Sequence, residues 1–371
     1  MPVNHSEVFK THPVYYLHGD FIDFHSVQDV PDSYKWPQVV DYPSDQDLHD
    51  VESVPIIDLM DPNAANLVGN ACQTWGVFQV TNHGIPIHLL ENLESEGRRL
   101  FQLPTQEKLK AARRPNGISG YGRARISCFF PKLMWSEGFT IVGSPIEQAR
   151  QLWPEEYKTF CDVIDEYEKE MKKLSTMLMW IMFGSLGITE DDMCWVGPES
   201  KSECPCDILQ LNSYPPCPDP KIVMGLAAHT DISLLTVLYQ TGTSGLQVLR
   251  DDGRWVTVQP KSGALVINVG DLLQILSNGR FRSVFQRAVV HQTRHRLSSA
   301  YFFGPPSNIQ ISALSKLIDK KCPPLYNPET WIEFLLVNYK HINQALTTFQ
   351  LVESENESTD MNDQKRMKVR R

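Results

Sequence analysis

The chain has 371 residues, 42% hydrophobic and 21% charged, which is enough apolar material to bury a large core. Its formal charge of −9 excludes a nucleic-acid footprint, which needs clustered Lys and Arg. No apolar run approaches the roughly 20 residues of a membrane-spanning helix, and Met1 to Glu7 lacks a basic region followed by an apolar core, so no membrane partner and a cytosolic location are expected.

In chain order, residues 1–50 read as an extension rich in Pro, Asp and His without periodicity. A non-catalytic α/β portion is expected over 51–153. It begins with a strand in Val54-Pro55-Ile56-Ile57-Asp58-Leu59, followed by a helix from Asn63 that runs into a strand at Gly76–Val80, with Asn82-His83-Gly84 as turn residues. Over 154–204, Tyr157, Phe160, Val163, Ile164, Tyr167, Met171, Leu174 and Leu178 recur at three- and four-residue steps, which predicts a long amphipathic helix from Pro154 to about Leu186 and a linker after it. From 205 to 310 the period changes to short β runs: Leu234–Tyr239, Leu246–Leu249, Trp255–Val258, Ala264–Val269, Ser283–Val290 and Ser299–Phe303, with Asp251-Asp252-Gly253 as a hairpin turn. Many short strands with turns about every ten residues suggest a sandwich or jelly roll whose mouth can hold a small ligand. A helical cap over 311–350 and a polar tail over 351–371 complete the reading.

The eight cysteines, scattered between Cys72 and Cys322, do not form a disulfide framework and are read as reduced thiols. Cys204-Pro205-Cys206 with Cys217 invites a zinc reading, but no second pair has finger-like spacing.

The chemistry lies in the β region. His229-Thr230-Asp231, placed on a strand, puts an imidazole and a carboxylate on one face, because alternate residues point the same way. These are two thirds of the facial triad of non-haem iron(II) oxygenases. Arg296-Leu297-Ser298 repeats the spacing, and a guanidinium with a hydroxyl beside it grips a carboxylate, which fits the distal end of 2-oxoglutarate.

Around these motifs, Asn212-Ser213-Tyr214-Pro215-Pro216-Cys217-Pro218, Gly225-Leu226-Ala227-Ala228-His229-Thr230-Asp231, Asn268-Val269-Gly270-Asp271 and Arg296-Leu297-Ser298 resemble the plant 2-oxoglutarate-dependent dioxygenases. Within them, Gly120-Tyr121-Gly122, Arg125-Ile126-Ser127 and the segment Phe129-Phe130-Pro131-Lys132 to Ile141 are similar to the gibberellin 3-oxidases. The resemblance implies an α+β fold: a double-stranded β-helix (cupin-like jelly roll) core with long supporting helices and an α/β amino-terminal portion. It implies Fe(II), 2-oxoglutarate and dioxygen, with ascorbate as reductant, and 3β-hydroxylation of a C19 gibberellin by a monomer. His229 and Asp231 would then be catalytic metal ligands, with Arg296, Ser298, Tyr214 and Asn212 around the cosubstrate. The segment before the long helix would cover the substrate or pack the core.

One position departs from the pattern. The family's third ligand, a histidine, precedes the cosubstrate arginine by ten residues, where this chain has Gln286. His291 and His295 stand five and one residues before Arg296, and odd displacements along a strand reach the opposite face. A neutral amide oxygen is a weaker donor than imidazole, so impaired chemistry is expected, with Gln286 as a direct or water-bridged ligand. The alternatives are a hormone-binding protein without catalysis and a dioxygenase acting at another gibberellin position.

Overall fold

The computed structural model describes residues 22–24, 26–37, 53–115, 117–193, 207–306, 309–340 and 342–351. The polar tail and the Cys204-Pro205-Cys206 cluster lie outside them. The strands are β1 (Ile56–Asp58), β2 (Val77–Thr81), β3 (Gly120–Gly122), β4 (Glu137–Ile141), β5 (Ile208–Tyr214), β6 (Leu226–His229), β7 (Leu235–Gln240), β8 (Leu246–Leu249), β9 (Trp255–Thr257), β10 (Leu265–Val269), β11 (Gln286–Ala288), β12 (Arg296–Phe303), β13 (Gln310–Ile311) and β14 (Glu329–Thr330). The helices are α1 (Ala64–Thr74), α2 (Ile87–Phe101), α3 (Thr105–Lys108), α4 (Ile146–Leu152), α5 (Tyr157–Ser185), α6 (Asp271–Leu276), α7 (Trp331–Lys340) and α8 (Ala345–Phe349).

An eight-stranded sheet in the order β1-β2-β10-β7-β12-β5-β4-β3 faces a four-stranded sheet in the order β6-β11-β8-β9 across a central cavity. Strands from before and after the long helix share the larger sheet. The jelly-roll expectation holds, and its cause is visible in the alternation of single strands. In β12, Arg296, Ser298, Ala300 and Phe302 face the cavity, while Leu297, Tyr301 and Phe303 enter the core on the other side. In β5, Ile208, Gln210, Asn212 and Tyr214 face the cavity, and Leu209 and Leu211 enter the core.

That core is covered by α5, whose Phe160, Ile164, Tyr167, Met171, Leu174 and Leu178 are all buried at alternating steps of four and three. Each such side chain contributes about 1.5–3 kcal/mol by leaving water, so the helix gives the sheet a rigid backing. The helix starts at Tyr157, three residues later than the sequence pattern suggests. The Asp251–Gly253 turn joins β8 to β9 as expected, with Gly253 at φ +83° and its N–H donating to the Arg250 carbonyl at 2.9 Å. Several strand ends shift, and two shifts bear on the site: the Ser283–Val290 run narrows to Gln286–Ala288, and the Ser299–Phe303 run begins earlier, at Arg296. The latter change puts the arginine inside the ladder.

The described cysteines Cys72, Cys161, Cys217 and Cys322 are free thiols. Among the described residues, no helix is long and apolar enough to cross a membrane.

Candidate active site

The central cavity, about 220 Å³, gathers His229, Asp231, Gln286, Arg296, Ser298, Tyr214 and Asn212 on its lining. Every residue singled out for the site from the sequence therefore reaches one chamber. The register explains this convergence. On β5 and β12, Arg296 pairs with Tyr214 and Ser298 with Asn212; on β6 and β11, His229 pairs with Gln286.

One expectation needs correction. His229 ends β6, so Asp231 lies beyond the strand that was expected to carry both, although the two side chains do line the same cavity. Beyond the strand the chain is held from another element: the backbone N–H of Asp271 at the start of α6 donates to the Asp231 carbonyl at 2.7 Å. Gly270 allows this approach, since a Cβ at that position would meet the Ser233 carbonyl oxygen at 2.0 Å. Asp231 Oδ1 lies 3.7 Å from His229 Nε2. His229 Nδ1 lies 2.8 Å from the Ala227 carbonyl. A carbonyl only accepts, so Nδ1 carries the proton and Nε2 keeps its lone pair for a ligand on the Asp231 side.

Asn268, quoted in a motif but given no role by the sequence, is the link between the carboxylate and the departing residue. Its Nδ2 donates to Asp231 Oδ2 at 3.2 Å and to Gln286 Oε1 at 2.7 Å. Its alternation with Val269 on β10, toward the cavity and the core respectively, was the available signal. Asp271, which accepts from the Thr230 hydroxyl at 3.0 Å, is fully enclosed, and desolvation raises its carboxyl to about 7. Among the described residues, no three His, Cys, Asp or Glu side chains gather as a metal-binding group, which is the structural consequence of glutamine at 286. His291 and His295 do not replace it: His295 Nε2 contacts Ser213 Oγ at 2.9 Å, and His291 packs against Thr293 and Arg294. Neither lines the cavity.

At the other end, Arg296 is 2% exposed. Its Nη2 donates to Gln240 Oε1 at 3.1 Å, and the guanidinium carbon lies 4.9 Å from the Tyr214 ring centroid. Nε and Nη1 are buried without a hydrogen-bond partner. Burial lowers the Arg296 pKa and raises that of Tyr214, against which the arginine charge pulls. Two unsatisfied donors on a buried cation are costly unless an anion meets them, and a carboxylate has the matching fork.

These observations test whether iron and 2-oxoglutarate fit. His229 Nε2, Asp231 Oδ1 and the Gln286 amide oxygen could hold the metal, and Arg296 with Ser298 and Tyr214 could hold the distal carboxylate. The remaining walls are apolar, among them Ile126, Phe129, Leu226, Phe302, Trp331 and Leu335. The 129–141 segment divides its roles: Phe129 and Thr140 line the cavity, whereas Trp135 and Phe139 are fully buried in the core. Sequence reasoning missed Thr140 and Gln210, whose side chains bond at 2.6 Å on the cavity wall, and the α7 residues of the cap.

A jelly roll carrying an imidazole, a carboxylate and an unsatisfied buried guanidinium around one cavity describes the class of iron(II)- and 2-oxoglutarate-dependent oxygenases. Residues 205–305 match the 2OG-Fe(II) oxygenase superfamily, and residues 54–156 match the amino-terminal region of the non-haem dioxygenases in morphine synthesis. Gibberellin 3-beta-dioxygenase 1 of Pisum sativum is 51% identical over 98% of each chain, and gibberellin 3-beta-dioxygenase 2 of Arabidopsis thaliana is 52% identical over 92% of this chain and 97% of its own. The solved structure of JOX2 in complex with 2OG, Fe and JA superimposes with a TM-score of 0.76 at 30% identity, covering 90% of this chain and 98% of that one. The chain belongs to the gibberellin 3-beta-dioxygenase family of 2-oxoglutarate/Fe(II)-dependent enzymes.

Proposed function

We propose that this enzyme hydroxylates a C19 gibberellin at C3 on the β face, as a cytosolic monomer, with turnover limited by Gln286. The observation that carries the reading is a cavity with apolar walls for a hydrocarbon skeleton, ending at His229 and Asp231 and flanked by the unsatisfied Arg296. It is supported by the names of relatives that match nearly the whole chain. When bound, iron(II) with 2-oxoglutarate supplies oxidation of an unactivated C–H bond by dioxygen, with succinate and carbon dioxide as coproducts. The protein's part is placement. Arg296 and Ser298 orient the cosubstrate, the His229 tautomer presents Nε2, Asn268 holds Asp231 and Gln286 together, and the apolar walls exclude water.

The test is an anaerobic titration with Fe(II) and 2-oxoglutarate, followed by oxygen and a 3-deoxy gibberellin, reading the metal-to-ligand absorption band and the product by mass spectrometry. A band with a 3β-hydroxylated product supports the proposal. Oxidation mainly at another carbon would refute the regiochemistry. Hormone binding to metal-free protein with neither band nor product would support the binding-only reading, which rests on Gln286.

A further inference from the structure

β6 is an edge strand of the smaller sheet, so the backbone groups on one side of it meet no neighbouring strand. Those groups are the Ala228 carbonyl and the Thr230 N–H, on either side of His229. The side chain of Asn343 serves both: Nδ2 donates to the Ala228 carbonyl at 3.0 Å, and Oδ1 accepts from the Thr230 N–H at 3.3 Å. One amide thus takes the place of a neighbouring strand at the residue that presents the imidazole. Asn343 sits at φ +61°, a left-handed conformation that asparagine tolerates better than most residues. Its own N–H donates to Asn338 Oδ1 at 3.2 Å. Asn338 belongs to α7, where it lines the cavity with Trp331 and Leu335. Trp331, Leu335 and Asn338 of α7 therefore wall the cavity, while Asn343, bonded to Asn338, holds the backbone around His229.

We propose that Asn343 is a positioning residue for the His229 strand, and that through it the carboxy-terminal cap couples occupancy of the cavity to metal affinity. This rests on His229 and Asp231 being ligands. Coupling of this kind is reciprocal: a substrate that settles α7 tightens metal binding, and metal tightens substrate binding by the same factor.

The informative variant is N343G, because glycine adopts positive φ without strain and removes the amide while leaving the loop path intact. N343D keeps the acceptor for Thr230 and loses the donor to Ala228. On the full chain, three quantities would be compared: backbone amide exchange at Thr230 in metal-free protein, the dissociation constant of Co(II) in the presence of 2-oxoglutarate, and the change in that constant on adding a 3-deoxy C19 gibberellin. In N343G, exchange at Thr230 should accelerate and the Co(II) dissociation constant should rise on the order of tenfold, the scale seen when groups orienting a metal ligand are lost. N343D should fall between, and the melting temperature should stay near that of the parent. The gibberellin should tighten Co(II) in the parent and not in N343G.

Wild-type exchange and wild-type Co(II) affinity in N343G would overturn the positioning role. An equal gibberellin effect in both proteins would overturn the coupling. If the parent takes up no Co(II), the ligand assignment fails and the coupling with it, while exchange at Thr230 still decides whether Asn343 holds the strand.

Discussion

Gln286 lies directly across the antiparallel β6–β11 pair from His229. Its amide oxygen accepts from Asn268 Nδ2 at 2.7 Å, and that same amide also reaches Asp231. A carbonyl oxygen has two lone pairs, so Asn268 orients Gln286 Oε1 and leaves one pair for a cation. On the function proposed above, this is the place of the third ligand, filled by a weaker donor.

Replacing Gln286 with histidine should tighten Fe(II) binding in the presence of 2-oxoglutarate by about ten- to a hundredfold and raise turnover of a 3-deoxy gibberellin. Anaerobic titration and product formation measure the two effects. Unchanged affinity in Q286H would mean that position 286 does not face the metal.

Arg296 should show opposite signs in function and stability. R296L removes the fork for the cosubstrate carboxylate and should raise the 2-oxoglutarate dissociation constant on the order of a hundredfold, as when one partner of a buried charged pair is truncated. The same change removes a buried cation with two unsatisfied donors, so the ligand-free protein should melt higher. A lower melting point in R296L would show that the Gln240 and Tyr214 contacts outweigh the desolvation cost.

Gly270 is a tight approach at ordinary φ. A Cβ there would meet the Ser233 carbonyl at 2.0 Å and displace the segment that follows Asp231. G270A should cost about 2 kcal/mol in denaturant unfolding and weaken metal binding with it. An unfolding midpoint equal to the parent's would contradict the geometry.

Away from the cavity, Glu168 on α5 has its carboxyl pushed up to about 8, mainly by burial and then by the nearby Asp165 and Asp207. The folded state therefore holds a proton between about pH 4.5 and pH 8 that the unfolded chain has released. Stability falls as pH rises through that window. E168Q should flatten the decline in melting temperature between pH 5 and pH 8 and leave the protein more stable than the parent at pH 8. Parallel melting curves for the two proteins across that range would remove Glu168 as the cause.

The sequence by itself determined which residues would line one cavity. His229, Asp231, Arg296 and Ser298 were legible because a two-residue spacing puts side chains on one face. Gln286 was legible only through the family resemblance, whose ten-residue step to Arg296 marks its position, and the long helix because its apolar stripe is local. Only the tertiary structure decided what holds those residues. Asp231 lies beyond the end of β6 and is held there by the Asp271 backbone. Asn268, Gln240 and Asn343 come from β10, β7 and the carboxy-terminal cap to satisfy single polar atoms of the site. Periodicity reports which face a side chain takes on its own element; partners that meet across sheets, as Asn343 and Thr230 do from 113 residues apart, are set by how the layers pack.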